Sequence, residues 1–353
     1  MKPDFDRMAT ALEGREPDRV PLAEATVAYE IMSGFLGKEV TDSDVASQVE
    51  FWASAGYDYV PLTVGLMQPG KVTKDSAISR VTKEIAGCES LNGDDAWNLE
   101  KRAFIHTRTD CELFPWDDAA KLDLSKFYDA QKHLPEGMKI IAVSGKVFTL
   151  TWLLMGFENF CLQLAIDPGF VEAVMERVAQ IQFDGLRRVV RIPNVAAVWA
   201  VDDIAFGSGT MISPQALRKY VFPWYKKFGE ICRDHGMYLL FHSDGVLWDV
   251  MDDLLEIGIN GLHPIDPTCM DIEEVKERIG DRLCLMGNIP NELLMNGVPA
   301  EVVQLTKERI RRLAPGGGYC VGSGNSVPEW SKLENYKAMI DTVMKHGTYP
   351  IRL

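Results

Sequence analysis

The amino-acid sequence predicts an α/β protein, a single (β/α)8 TIM barrel over residues 1–353, and three observations favour this fold. Short apolar runs alternate with amphipathic stretches of helical length, which is the pattern of strand–helix units in a parallel sheet. Eight such runs are present, and a closed barrel accommodates eight strands better than an open sheet does. The first run is not followed by the GxGxxG motif of a dinucleotide-binding fold.

The eight predicted strands are short apolar runs that finish in polar or turn-forming residues. They are VPLAEAT (20–26), YDYVPLT (57–63), KIIAVSG (139–145), AAVWAVDD (196–203), YLLFHSDG (238–245), INGLHPID (259–266), LCLMGNI (283–289) and YCVGSGNS (319–326).

Helix-sized segments separate the last five of these runs. The segment 213–236 begins with Ser213 as its N-cap and Pro214 in the first turn, and it ends at Gly236. The others, 246–258, 271–280 and 299–317, carry apolar residues at i, i+3 and i+4 and finish near a glycine.

Residues 66–138 interrupt this alternation between the second and third strands. The text GCESLNGDDAWNLEKRAFIHTRTDCELFPW is charged, and its alternation is more typical of short antiparallel strands. We expect an insertion here that could cover the mouth of the barrel, because long βα loops lie on the catalytic face.

Composition narrows the class of protein. The chain is 46% hydrophobic and 25% charged, with a net charge of −14 and a pI near 5, which argues against nucleic acid or an anionic membrane as the main partner. Seven dispersed cysteines without a CxxC pair predict reduced thiols. The charged N-terminus and the lack of a membrane-length apolar run predict a cytoplasmic protein, and an acidic barrel of this size is often a homodimer.

Polar residues follow most of the predicted strands at their C-terminal ends. They are Glu24, Asp202, Asp203, His242, Asp244, His263, Asp266, Asn288 and Asn325. Because strand ends converge on one mouth in a barrel, we expect these residues to share a site. The simpler alternatives are that Asp202 or Asp203 caps a turn, that His263 is a core residue and that Glu24 pairs with Arg19.

The second half of the chain contains the motifs FHSDG, GNIP and the ending GYCVGSGN. In these motifs the chain resembles the uroporphyrinogen decarboxylase superfamily. A weaker likeness runs through DDIAFGSGTMISPQALRKYVFPWYKK and DRMATALEGREPDRVPL. The superfamily includes the decarboxylase of haem synthesis and corrinoid-dependent methyltransferases, so the resemblance implies a TIM barrel with its active site at the strand ends.

Two departures argue against decarboxylation of uroporphyrinogen. The decarboxylase has an arginine-rich loop after its first strand, whereas AEATVAYEIMSG (23–34) contains no arginine. Several buried carboxylates would need cationic partners there. The decarboxylase also has a histidine in its last strand where this chain has Asn325.

The thiol methyltransferases of the superfamily bind zinc through an HxC motif and a later cysteine, because thiolates suit that metal. Here the motif reads His242-Ser243-Asp244, the later cysteine aligns with Asn325, and Cys320 lies five residues earlier. A harder zinc site of His242, Asp244 and either Glu24 or Asp202 could still form.

The resemblance that remains is to the branch that transfers a methyl group from a small substrate to the cob(I)alamin of a partner corrinoid protein. We expect an aromatic methyl ether as the donor, with His242, Asp244, Asp202 and Asp203 as the catalytic residues. The predicted substrate-binding residues are Glu24, His263, Asn288, Asn325, Trp199 and Phe206. The alternatives are a decarboxylase, a thiol methyltransferase and a binding barrel that has lost its chemistry.

Overall fold

The computed structural model describes residues 2–66 and 103–353, and the architecture is α/β. Seven parallel strands form one sheet in the order β1-β2-β3-β6-β7-β8-β9, and β4 and β5 form a separate antiparallel hairpin. The strands are β1 (Tyr59–Thr63), β2 (Lys139–Gly145), β3 (Val195–Val201), β4 (Ala205–Phe206), β5 (Gly209–Thr210), β6 (Tyr238–His242), β7 (Gly261–His263), β8 (Cys284–Met286) and β9 (Tyr319–Cys320).

Three α-helices precede β1, and helices lie between the last five predicted strands, as the sequence predicts. The α-helices are α1 (Phe5–Leu12), α2 (Tyr29–Leu36), α3 (Val45–Ser54), α4 (Arg108–Leu113), α5 (Trp116–Ala119), α6 (Ser125–Ala130), α7 (Val147–Met155), α8 (Phe157–Ile166), α9 (Pro168–Val189), α10 (Pro214–Ala216), α11 (Phe222–Asp234), α12 (Met251–Ile257), α13 (Ile272–Ile279), α14 (Asn291–Asn296), α15 (Pro299–Leu313) and α16 (Leu333–His346). A π-helix (Leu217–Val221) joins α10 to α11, and a 3-10 turn (Trp248–Val250) precedes α12. The side chain of Ser213 accepts from the Ala216 N–H, as predicted for an N-cap.

The first predicted strand, residues 20–26, is not a regular strand. It pairs with the segment after β9 through isolated parallel bridges, Leu22 with Val321 and, just past the run, Val27 with Val327. Between these two bridges the Ser323 N–H donates to the side chain of Glu24 instead of to a backbone carbonyl, which interrupts the pairing. Glu24 also exchanges hydrogen bonds with the Tyr59 hydroxyl in β1, so this segment contacts both edge strands of the curled sheet.

Helix α1 lies at the N-terminal ends of the strands. Phe5 N–H donates to Gly137 O just before β2, and the buried Arg7 pairs with Asp58 just before β1. The sulfur of Met8 lies 3.7 Å from Cys320 Sγ in β9. Since α1 occupies this end, the C-terminal ends of the strands are left for a site.

Part of the predicted insertion, residues 67–102, lies outside the described ranges. In the described remainder the expectation of short antiparallel strands is wrong, because residues 108–130 form α4, α5 and α6. Thr107 and Asp110 make reciprocal side-chain to backbone hydrogen bonds that begin α4 as a capping box. Ion pairs Arg108–Asp167 and Lys126–Asp42 tie this remainder to the outer helices, and its covering of the mouth stays a prediction.

In the described ranges, no single helix combines the length and apolar character needed to cross a membrane. One pair bent by 98°, α7 and α8, meets the criterion together by length and composition only. The described cysteines Cys111, Cys232, Cys269, Cys284 and Cys320 are free thiols, as predicted, and Cys88 lies outside the described ranges.

Candidate active site

Three predicted site residues lie together at the C-terminal ends of β3 and β6. Asp203 Oδ1 is 3.5 Å from His242 Nε2, and Asp244 Oδ1 is 4.0 Å from the same nitrogen. Their ligand atoms all lie within 4.8 Å of one another. His242 is 6% exposed, whereas the Asp203 side chain is 45% exposed. The Asp244 side chain is 30% exposed, so the cluster has a buried imidazole facing two partly exposed carboxylates.

Asp244 holds the most perturbed carboxylate of this cluster. Burial, and then the neighbouring charges of Asp203 and Asp266, hold its pKa well above the ordinary value. One oxygen accepts from the Asn325 amide, while the buried Oδ1 has no hydrogen-bond partner. The Asp244 backbone N–H donates to Asp203 Oδ1 at 3.0 Å, which fixes the two carboxylates relative to each other. A proton or a cation beside Oδ1 would relieve this accumulation of negative charge.

His242 contacts a second histidine on the adjacent strand. The register places Val201, His242 and His263 side by side across β3, β6 and β7. The Nδ1 atoms of His242 and His263 are 2.7 Å apart, which is a hydrogen bond. His263 is fully buried, and burial followed by the proximity of His242 lowers its pKa well below the ordinary value. The structure therefore places His263 behind His242 in the interior, and its role in substrate binding stays a prediction.

Asp202 differs from its neighbour Asp203. Its carboxylate accepts from the backbone N–H groups of Phe148 (2.7 Å) and Thr149 (2.8 Å) at the start of α7. The Tyr225 hydroxyl donates to the same group at 2.5 Å. Burial raises the pKa of Asp202 to about 6. Through these bonds Asp202 holds α7 and α11 against the end of β3, and its catalytic role stays a prediction.

Glu24 is fully buried on the other side of the sheet's opening. Its Oε1 accepts from the Ser323 N–H at 2.6 Å, and its Oε2 lies 2.7 Å from Ser323 Oγ. Ser323 Oγ also lies 2.7 Å from the carbonyl oxygen of Asn325. The single hydroxyl proton can serve only one of these two oxygens, so both contacts become hydrogen bonds if Glu24 is protonated and donates to Ser323. Burial agrees with this, since it raises the pKa of Glu24 to about 8.

The candidate metal ligands in the structure differ from the predicted ligands His242, Asp244 and Glu24. Glu24 is not a member of the cluster whose ligand atoms lie within 4.8 Å of one another, and Asp203 takes that place beside His242 and Asp244. Both carboxyl oxygens of Glu24 are engaged by Ser323, whereas Asp244 Oδ1 has no hydrogen-bond partner. Glu24 instead connects to the cluster indirectly, because Ser323 contacts Asn325 and Asn325 donates to Asp244.

Asn288 and Asn325 follow β8 and β9, as expected. The Asn325 amide donates to Asp244, and its Oδ1 accepts from the Ser326 N–H. The buried Asn288 amide donates to Ile265 O at 2.8 Å, which leaves Asn288 Oδ1 buried without a partner. Asn288 is therefore the better candidate for binding a substrate donor, while Asn325 orients Asp244.

The two predicted aromatic residues occupy different depths. Trp199 is fully buried one register layer below His242 and makes an edge contact of 5.1 Å with His263. This burial argues against Trp199 as a direct substrate contact. Phe206, in the β4–β5 hairpin, is 42% exposed and packs edge-on against Phe157 at 6.2 Å. Phe206 is therefore exposed enough to contact a substrate near the C-terminal ends of the strands.

Sequence reasoning missed two residues that hold the site. Ser323 orders Glu24, and its signal was weak because a serine among glycines is typical of a turn. Tyr225 binds Asp202 from α11, where an aromatic residue on an amphipathic helix is usually a core residue.

The cluster fits a divalent cation by its donor chemistry. One imidazole and two carboxylates are ligands that zinc accepts, and the unpartnered Asp244 Oδ1 needs positive charge beside it. His263 behind His242 resembles the outer hydrogen-bond partner that metal-binding histidines usually have.

With this geometry in place, comparison with known proteins identifies the family. The sequence profile of uroporphyrinogen decarboxylase (URO-D) matches residues 102–346, more than half of the chain. The chain belongs to the URO-D family. The URO-D match includes every site residue named above except Glu24, and it confirms the superfamily resemblance. No curated protein matches the sequence.

Solved structures give a consistent view of this URO-D chain. A methyltransferase from Methanosarcina mazei is similar over 98% of this chain and 99% of its own, with a TM-score of 0.66 and 16% identity. At that identity the likeness establishes the fold. A xylose isomerase-like TIM barrel protein from Mycobacterium smegmatis, in complex with magnesium, aligns over 92% of this chain and 97% of its own. Its TM-score is 0.38 and its sequence identity is 11%.

Proposed function

We propose that this URO-D family protein is a methyltransferase that moves a methyl group from a small methylated substrate to the cob(I)alamin of a partner corrinoid protein. The methyl donor we propose is an aromatic methyl ether. The observation that carries the proposal is the Asp203–His242–Asp244 cluster at the strand ends, with the exposed ring of Phe206 nearby in sequence after β3. The similarity in fold to the Methanosarcina mazei methyltransferase supports the same reading.

The chemistry needs a group that stabilises the leaving oxygen. The electron pair of cob(I)alamin forms the new bond to the methyl carbon, the carbon–oxygen bond breaks, and its electron pair stays on the phenol oxygen. A phenolate leaves poorly unless that oxygen receives a proton or binds a Lewis acid. His242 Nε2, held between two carboxylates, is placed to hold that proton when charged.

A bound zinc ion held by Asp203, His242 and Asp244 would supply Lewis acidity at the same position. In either case the carboxylates stabilise positive charge at Nε2 or beside it, because they lie 3.5 Å and 4.0 Å away. Asn325 orients Asp244, and Asn288 Oδ1 is a candidate to accept from a substrate donor.

Decarboxylation of uroporphyrinogen is the weaker alternative. The substrate carries many carboxylates, and the cluster is already acidic: burial, and then the charges of Asp203 and Asp266, raise the pKa of Asp244. Residues 23–34 supply Glu24 and the start of α2 but no arginine. We expect no conversion of uroporphyrinogen to coproporphyrinogen in a fluorescence assay, and clear turnover would contradict the proposal.

Methylation of a thiol is also weaker. Cys320 lies against Cys284 (3.7 Å) and the Met8 sulfur, at the end of the sheet that α1 covers, so it is remote from a role as ligand beside His242. A harder set of oxygen and nitrogen ligands activates a thiol less well than thiolates do.

The test is a screen of methoxylated aromatics with reduced cobalamin, followed by the change in its visible spectrum, together with the zinc content of the purified protein. Methylation of cob(I)alamin by at least one donor is the expected result. A protein that binds no zinc and transfers no methyl group from any donor would favour the alternative of a binding barrel.

A further inference from the structure

The contact between His242 and His263 decides which nitrogen of His242 faces the cluster. Both rings are buried, their Nδ1 atoms are 2.7 Å apart, and their planes differ by 31°. A neutral imidazole carries one proton, so a hydrogen bond between two Nδ1 atoms has one donor and one acceptor. The direction of this bond therefore sets the state of each Nε2.

In the first arrangement His263 donates to His242. The Nδ1 of His242 is then an acceptor, and its proton lies on Nε2 facing Asp203 and Asp244. That imidazole is neutral and has no lone pair left for a metal. It is also a weak acid, because losing its remaining proton would leave an anion between two carboxylates.

In the second arrangement His242 donates its Nδ1–H to His263. Nε2 of His242 then either has a lone pair for a cation or carries a second proton that makes the ring positively charged. Both forms place positive charge beside the unpartnered Asp244 Oδ1. The acid version and the metal version of the proposed function both require this direction.

The surroundings of His263 fix the position of its ring beside His242. Its carbonyl oxygen accepts from the Ser243 N–H at 3.1 Å, which ties β7 to the turn that follows β6. The Trp199 ring meets it edge-on at 5.1 Å and 88°, one layer below. His263 Nε2 has no partner among the described residues, so the contact with His242 is its defining polar interaction.

We propose that His263 is a positioning residue, which accepts the Nδ1–H of His242 and so directs a metal-binding or charged Nε2 toward Asp203 and Asp244. Its role in catalysis rests on the proposed function, whereas the direction of the hydrogen bond can be measured without any activity.

Ring nitrogen shifts of histidine-labelled protein test the direction of the bond. Long-range 15N–1H spectra distinguish protonated from bare nitrogens, and His242→Ala and His263→Asn spectra assign the two rings. With zinc added, and without zinc at pH 6, we expect a proton on His242 Nδ1 and a bare Nδ1 on His263. A His242 ring with a bare Nδ1 under both conditions would overturn the proposal.

Two variants of His263 separate positioning from packing. Asparagine keeps an acceptor oxygen near the position of Nδ1, whereas leucine removes it. We expect His263→Leu to lower zinc affinity and methyl transfer 10- to 100-fold, which is the usual loss for an outer partner of a metal-binding histidine. His263→Asn should restore most of both. Equal losses in the two variants would assign His263 to packing and overturn the acceptor role.

The matched control is His235, an exposed histidine in the turn after α11 whose Nδ1 contacts Ile231 O. His235→Leu and His235→Asn should leave zinc binding and methyl transfer at the wild-type level. Failure of the proposed function is recognisable separately, because the wild-type protein would then transfer no methyl group while the nitrogen shifts still report the direction of the bond.

Discussion

At the scale of single residues, the site contains acidic groups held in different states by their surroundings. Asp203 is half exposed and reaches solvent, whereas Glu24 is enclosed with Ser323 and burial raises its pKa to about 8. Asp202 is enclosed by two N–H groups and a hydroxyl that favour its charged form. Asp203, Glu24 and Asp202 therefore lie in different environments, although each is an acidic residue at the end of a predicted strand.

Glu24→Gln tests the neutral state of Glu24. A glutamine amide can donate to Ser323 Oγ as the protonated carboxyl does, so the variant should match the wild type in unfolding free energy near pH 5. The folded-state pKa of about 8 lies above the ordinary 4.5, so the wild type loses stability relative to the variant as pH rises from about 4.5 to about 8.

Urea denaturation at pH 5, 7 and 9 measures this difference. Glu136→Gln is the control, because the Glu136 side chain is 88% exposed. Parallel pH profiles for Glu24→Gln and the wild type would mean that Glu24 is charged in the fold.

Asp202→Ala tests the assignment of Asp202 to structure. The change leaves two N–H groups and the Tyr225 hydroxyl without an acceptor, so we expect a loss of about 2–4 kcal/mol in unfolding free energy. Tyr225→Phe removes one donor and should cost about 1 kcal/mol with methyl transfer retained. If the Asp202→Ala protein had wild-type stability but no activity, Asp202 would have a catalytic role and not a structural one.

At the scale of elements, the β4–β5 hairpin packs against the turn that carries Asp244. Gly245 has a φ of +88°, and a Cβ there would lie 2.5 Å from the carbonyl carbon of Ala205. Gly236, before the same strand β6, has a φ of +66° and open space around its Cβ position. The two glycines thus share a left-handed backbone and differ in crowding.

We expect Gly236→Ala to cost about 1–2 kcal/mol, from the backbone conformation alone. Gly245→Ala should cost about 1–3 kcal/mol more, because the hairpin must shift, and it should also slow methyl transfer by moving Asp244 and Phe206. Urea denaturation and initial rates of both variants measure this. Equal losses of stability in Gly236→Ala and Gly245→Ala would mean that the β4–β5 hairpin can shift without an energetic cost.

The sequence predicted most elements because their signals are local. Residues 139–145 form β2 as predicted, and Ser213 begins a helix through its own side chain. Residues 20–26 do not form the predicted regular strand, because Glu24 binds Ser323, 299 residues away in the chain, and this contact interrupts their pairing. Likewise, the positions of Asp203, His242 and Asp244 after predicted strands indicated that they lie together. The sequence did not show that Asp202 binds the N–H groups of α7 or that His263 lies in the interior behind His242.

At the scale of the whole molecule, α1 occupies the N-terminal ends of the strands and the acidic cluster lies at their C-terminal ends. A partner corrinoid protein would have to approach from the C-terminal side, since the methyl carbon must lie between His242 and the cobalt. The chain belongs to the URO-D family. In the methyl transfer that we propose, His242 stabilises the leaving oxygen of the methyl ether.

The measurement that tests this claim most directly is the single-turnover rate of cob(I)alamin methylation by wild-type protein and by His242→Ala, with circular dichroism to check the fold. We expect the variant to fold normally and to be slower by roughly 10²–10⁴, the usual contribution of a positioned acid–base group. If zinc is the activator, the variant also loses bound zinc and a chelator reproduces its defect in the wild type; if His242 acts as an acid, chelators have no effect. Methylation by His242→Ala at the wild-type rate would contradict both versions of the account.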